Sequence, residues 1–199
     1  MIHASTTGVL SAAFGPREGA ALAVKQGALV LAGIAALVIS AKISVPMWPV
    51  PITMGTFAVL TIAAGYGARL GLVTILGYLA LGAVGFDVFA GSSAGTSGLS
   101  YMLGGTGGYL VGFVLATALM GALAARGWDR SMGKMALAML IGNVAIYVPG
   151  LIWLGVLHGW DKPILAWGLT PFLIGDAIKL ALAAMLLPGL WKVAARMRG

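Results

Sequence analysis

The stretch ITMGTFAVLTIAAGYGARLGLVTILGYLALGAVGF, residues 52–86, is apolar almost throughout and carries a single charge, Arg69. Whether it crosses a membrane once or twice decides the number of spans and the side on which every later loop falls. Its centre, GYGAR (65–69), is brief, basic and glycine-punctuated, as simple helix connectors are. The stretch therefore reads as two spans, 52–64 and 70–86. The first is shorter than the usual minimum of about 17 residues, so it needs tilt or burial by its neighbours.

Working outward, further apolar spans are predicted at 24–41, 107–125, 135–157 and 169–187, giving six in all. With 60% hydrophobic and 9% charged residues among 199, the chain is too apolar for the core of one soluble domain. The fold class is an all-α integral membrane protein of six transmembrane helices. It forms a single domain, with a tail over 1–23, a membrane domain over about 24–191 and a basic tail over 192–199. The first twenty residues lack the basic start, apolar middle and cleavage site of a signal peptide.

Charge supports the same count. A cytoplasmic start and six spans place Arg17, Lys25, Arg69, Arg126, Arg130, Lys134, Lys192, Arg196 and Arg198 inside, and only Lys42 and Lys162 outside. The positive-inside rule then puts both termini in the cytoplasm of a cell-membrane protein. A five-span model would separate Arg17 and Lys25 from the C-terminal basic cluster. The net charge of +7 is scattered between apolar blocks rather than interleaved with aromatics, so no nucleic-acid partner is expected.

Two outer links are unusual. KISVPMWPVPIT (42–53) holds Pro46, Pro49 and Pro51, which fix φ and remove amide donors, so this segment reads as an ordered, extended cap beginning at Lys42. FDVFAGSSAGTSGLSYMLGGTGGY (86–109) is long and rich in glycine and serine. Its Phe86, Phe89 and Tyr101 indicate a packed loop, with Ser92 and Ser93 among its polar groups.

Three patterns within the spans bear on chemistry. Asp176 and Lys179 lie three residues apart, about 60° around a helix and about 4.5 Å along it, in the outer half of the last span. An intramembrane charge is costly and marks a functional site unless the two merely neutralise each other to fix packing. A lysine there can meet a ligand carboxylate, and the aspartate can accept hydrogen bonds from ligand N–H groups or orient the lysine. Asn143 and Tyr147 share a face of the fifth span just before Pro149–Gly150, which is expected to break the helix. They serve either as interhelical glue or as ligand contacts, Asn143 offering donors and an acceptor. Trp153 beyond them reads as an interface anchor or an aromatic wall. Ala28, Ala32 and Ala36 make a shallow stripe on the first span, suited to close helix packing inside this chain or against another.

Absences narrow the classes. No cysteine is present, and His3 and His158 are too few for a histidine metal site, so neither metal nor cofactor is expected. Gly133–Lys134 is followed by Met135 rather than Ser or Thr, so no phosphate-binding loop of the G-x-x-x-x-G-K-[ST] type occurs. An intramembrane serine protease would have only His158 as an imidazole base, and an enzyme is not expected. The outer elements together describe an outward-facing pocket for a small, hydrogen-bonding anion.

Four regions resemble the BioY family, the biotin-binding S-components of energy-coupling-factor (ECF) vitamin transporters: KISVPMWPVPITMGTF (42–57), GYLALGAVGFDVFAG (77–91), GGTGGYLVGF (104–113), and GNVAIYVPGLIWL with PFLIGDAIKLALA (142–154, 171–183). The resemblance implies a six-helix fold, biotin uptake, and partnership with a transmembrane coupling subunit and two cytosolic ATPases. It also implies that Ala28, Ala32 and Ala36 dock the coupling subunit and that Asp176 and Lys179 bind substrate; from their own placement Asn143, Tyr147 and Ser92 are expected as further substrate contacts. The 42–53 segment would then gate the pocket. The chain departs from the family pattern at Gly55, Asp87 and Gly105, where glutamine, proline and proline are common. Another S-component for a small anionic vitamin, or a structural membrane protein with a packed ion pair, would share several of these features.

Overall fold

A computed structural model describes residues 8–92 and 96–197. Its helices are α1 (Gly19–Lys42), α2 (Gly55–Ala83), the short α3 (Gly98–Met102), α4 (Gly107–Ala125), α5 (Met132–His158), the short α6 (Ile164–Gly168) and α7 (Leu173–Arg196). Strands β1 (Ser44–Val45) and β2 (Ile52–Thr53) form a small antiparallel pair, with Ser44 opposite Thr53 and Val45 opposite Ile52. Five of these helical segments, α6 and α7 being taken together, are long and apolar enough to cross a membrane.

The second segment is two helices. Gly67 interrupts α2 with φ 79° and ψ 173°, a left-handed backbone that glycine adopts without steric cost. Beyond it the chain folds back: a β-carbon on Gly71 would lie 3.5 Å from the Cα of Ala63, eight residues earlier. In one continuous helix those positions would be about 12 Å apart. The limbs 55–66 and 68–83 are therefore antiparallel neighbours, and the bundle has six helices. The turn is held closely, since a β-carbon at Gly121 of α4 would sit 2.2 Å from the Ala68 nitrogen. The first limb is only about 18 Å long. Burial of Ala58, Val59, Leu60, Ala63 and Ala64 surrounds it with protein rather than lipid.

Side-chain size organises the rest. Leu60, Ala63, Ala116, Met120, Met135, Met139, Ile146 and Leu154 are buried where the first limb of α2, α4 and α5 meet. Leu31, Ile39, Val73, Leu76, Val144, Val148, Ile178 and Met185 face outward, as a lipid-solvated bundle requires. Aromatic stacking orders the long loop: Phe89 and Tyr101 lie parallel with ring centres 5.1 Å apart, and Tyr78 meets Phe89 edge-on at 5.3 Å. Phe86 stays exposed.

Several expectations are corrected. Pro149 does not end the fifth helix, and α5 continues to His158. The carbonyl that Pro149 frees, that of Ala145, faces α4, where a β-carbon on Gly112 would lie 3.1 Å from it. The last helix starts at Leu173, after Thr170 and Pro171 close a turn, and carries Lys192 and Arg196 within it rather than in a tail. Residues 8–23 are not a free tail. Residues Leu10–Ala12 form a 3₁₀ turn, Val9 packs beneath Gly67, and α1 begins at Gly19. His3, Ser93 and Arg198 lie outside the described residues.

One end of the bundle collects the N-terminal segment, the 65–69 turn and the 126–131 turn. Arg130 donates to the Gly8 carbonyl at 2.9 Å, and its guanidinium lies 4.2 Å from the Trp191 ring centre. The Trp191 indole donates to Asp129 at 2.5 Å. The opposite end carries the β-pair, residues 84–92 and 96–97 of the long loop, and α6.

Candidate functional site

Asp176 falls in the first turn of α7, where the helix dipole favours a carboxylate, and Lys179 follows one turn later. Their side chains pair at 3.0 Å and are each 8% exposed. Two other helices complete the network. Tyr147 of α5 donates its hydroxyl to the second oxygen of Asp176. Thr56, at the start of α2, accepts from Lys179 at 3.0 Å and lies 3.4 Å from Asp176. An ammonium has three protons. Two are directed to Asp176 and Thr56, which leaves one for a ligand.

This network borders a cavity of about 50 Å³ whose walls include Pro51, Thr56, Phe113, Tyr147, Phe172 and Lys179. A second cavity of about 50 Å³ lies across Thr53, Tyr109 and Phe113, bounded by Gly55, Tyr78, Phe89 and Tyr101. Gly55 lies in the wall of this second cavity, and a β-carbon there would come within 2.9 Å of the Thr53 hydroxyl oxygen. Its amide donates to the Thr53 hydroxyl at 2.9 Å, which helps close the start of α2.

The 42–53 segment folds over these cavities as a hairpin. Val50 and Pro51 form part of the cavity wall, and Pro49 lies against the backbone at Gly105, where a β-carbon would come within 2.8 Å of its carbonyl. Trp48 clasps the rim, edge-on to Trp167 at 4.9 Å and to His158 at 5.4 Å. Pro46 is exposed at the tip. Lys42 does not enter the cavity. Its ammonium pairs with Asp87 at 2.6 Å and donates to the Phe89 carbonyl at 2.8 Å, tying the hairpin's base to the long loop. The hydrogen bond from Lys42, joined by one from Ser92, holds the Asp87 carboxyl below its ordinary value.

The structure thus brings together Asp176, Lys179, Tyr147 and Pro51. Asn143 is buried one turn from Tyr147 with its carbonyl oxygen unpartnered, but it is not in the wall of either cavity. Ser92 bonds within its own loop, donating to Asp87 at 2.5 Å and receiving the Phe89 amide at 3.0 Å. Trp153 donates to the Gly104 carbonyl at 2.8 Å and so fastens α5 to the loop before α4. Ala28, Ala32 and Ala36 are all exposed, while Gly33, Leu37 and Ala41 turn the other face of α1 to the core. Packing inside this chain therefore does not account for the stripe.

Thr56, Tyr109, Phe113, Phe172 and Trp167 were not among the expected site residues. Thr56 carried a weak sign, a hydroxyl at the point where the proline-rich segment passes into helix. The aromatics lie in apolar runs whose facing direction only the packing reveals.

Comparison with known proteins agrees with this architecture. The model of the BioY family matches residues 10–196. A probable biotin transporter BioY of Pyrococcus horikoshii is 36% identical over 163 residues, covering 81% of this chain and 93% of that protein. The biotin transporter BioY of Thermotoga maritima is 34% identical, covering 79% and 92%. The crystal structure of an S-component for biotin from an ECF-type ABC transporter superposes with a TM-score of 0.71 at 23% identity, over 88% of this chain and 95% of that one. Matched along nearly its whole length by the family model, this multi-pass membrane chain belongs to the BioY family.

Proposed function

We propose that this protein is the biotin-binding subunit of an ECF-type transporter. It takes biotin from outside the cell into the space beneath the 42–53 hairpin and delivers it inward with a transmembrane coupling subunit and two cytosolic ATPases. The observation that carries the reading is the buried Asp176–Lys179–Tyr147–Thr56 network under a tethered cap, in a chain of this family. The names of its relatives supply the substrate.

Biotin matches the network chemically. One end of it can engage the pair: either its carboxylate takes the remaining proton of Lys179, or its ureido N–H groups donate to Asp176. Burial makes these charged contacts stronger than they would be in water. Small-molecule pockets usually enclose about 300–1,000 Å³. Two cavities of about 50 Å³ fall well short, so binding requires the hairpin and the aromatic partition at Tyr109 and Phe113 to move apart.

The protein is then a transport component of the cell membrane and does no covalent chemistry. Saturable binding of labelled biotin to the purified protein, undiminished by excess pantothenate or riboflavin, is the expected result. Absence of saturable biotin binding would overturn the assignment, and displacement by either competitor would point to a carrier for another vitamin.

A further inference from the structure

The bundle end opposite the cap holds a much larger cavity, about 390 Å³, between α1 and the turn of α2, roofed by residues 9–12. Lys25, Gln26, Tyr66 and Arg69 border it, and Leu29 and Leu70 form part of its apolar wall. It has no part in the substrate site.

Charge in this cavity is one-sided. Among the described residues neither Lys25 nor Arg69 has an acidic partner, the ion pairs being Lys42–Asp87, Lys162–Asp161 and Lys179–Asp176. Arg69 has no hydrogen-bond partner there at all, while Lys25 donates to the Phe14 carbonyl, which holds its ammonium in place. The Tyr66 hydroxyl is spent on the Leu29 carbonyl at 2.9 Å, so the free donors are those of the two cations and Gln26. Such a set recognises a phosphate.

The apolar wall decides which phosphate. Val73, in the cavity wall and 55% exposed, continues along the second limb of α2 to Leu76, 52% exposed, on the lipid-facing surface. A basic mouth that opens onto an apolar track suits a molecule with an anionic head and a hydrocarbon tail. We infer that this cavity binds an anionic phospholipid, its phosphate between Lys25 and Arg69 and one acyl chain along Val73 and Leu76. Basic pockets between membrane helices recognise anionic headgroups in this way.

Native mass spectrometry of the full-length protein in detergent with equimolar phosphatidylglycerol and phosphatidylcholine tests the inference. Wild type is expected to retain phosphatidylglycerol about tenfold over phosphatidylcholine. The Lys25→Gln/Arg69→Gln variant should lose that preference, Arg69→Gln alone should lower it a few-fold, and Lys134→Gln, another exposed base, should keep it. Retained biotin binding reports that each variant is folded. Equal retention of the two lipids by wild type, or an undiminished preference in both the double and the single variant, overturns the inference. Millimolar inorganic phosphate distinguishes the sources: retention of phosphatidylglycerol in its presence supports a lipid site, and displacement as complete as that by excess phosphatidylglycerol assigns the cavity to the free ion instead.

Discussion

Lys179 and Asp176 are poised between two roles, pairing with each other and receiving a ligand, and substitution separates them. Removing Lys179 alone leaves the Asp176 carboxylate, 8% exposed, without its 3.0 Å cation. Breaking a buried pair in this way costs about 3–5 kcal/mol. Lys179→Met should therefore lower the thermal midpoint in detergent and abolish biotin binding together. The double replacement Asp176→Leu/Lys179→Met removes both charges, and apolar substitutes for buried pairs are often neutral or stabilising. It should regain most of the midpoint while binding stays absent. A double variant that still binds biotin with wild-type affinity would show the pair to be packing alone. The pair itself was legible because two charges interrupt an apolar run. Thr56 and Tyr147 were harder to read as its partners, since their hydroxyls come from α2 and α5, 120 and 29 residues away in the chain.

At the scale of elements, α1 carries two faces with different fates. Gly33, Leu37 and Ala41 pack inward, and Ala28, Ala32 and Ala36 present a smooth strip outward. A strip of small side chains lets a second helix approach closely. Ala32→Trp should therefore block co-purification of the coupling subunit by more than tenfold while leaving biotin binding to the isolated protein unchanged. Intact assembly by this variant would remove the stripe from the docking surface. The cap has its own latch in Lys42 and Asp87. Because the native Asp87 pKa is lowered, chiefly by the Lys42 hydrogen bond, the latch stabilises the fold above the unfolded carboxyl value, about 3.9, and is lost as pH falls through the lower native value. The midpoint difference between wild type and Asp87→Asn should be small and constant above about pH 5 and vanish below about pH 3, since the pair is largely exposed. A difference that grows on acidification would reverse this account. The prolines announced the cap, but its hairpin pairing and its seat against His158 and Trp167 depend on loops that meet only in the folded molecule.

Across the whole molecule, most of the basic residues lie at the end opposite the cap. Arg69 lies in the 65–69 turn and Arg130 in the 126–131 turn, joined by Lys25 through the cavity and by the last turns of α7 through Trp191. Lys42 and Lys162 lie at the cap end, each beside an aspartate. Hydropathy and charge made this polarity legible, and the glycine-punctuated GYGAR stretch announced the turn at Gly67 that parts the two limbs of α2. The distribution matters energetically because the cytoplasmic leaflet attracts each basic residue by about 1 kcal/mol. Turning the molecule over would forfeit that for most of its cations, so the cap end is expected to face outward and Trp191 inward. The absence of cysteine from the chain makes a direct test free of background labelling. In intact cells a membrane-impermeant maleimide should modify Asp161→Cys and leave Lys192→Cys unmodified until the membrane is permeabilised. The opposite pattern would place the substrate cavity on the cytoplasmic side and reverse the direction in which biotin enters.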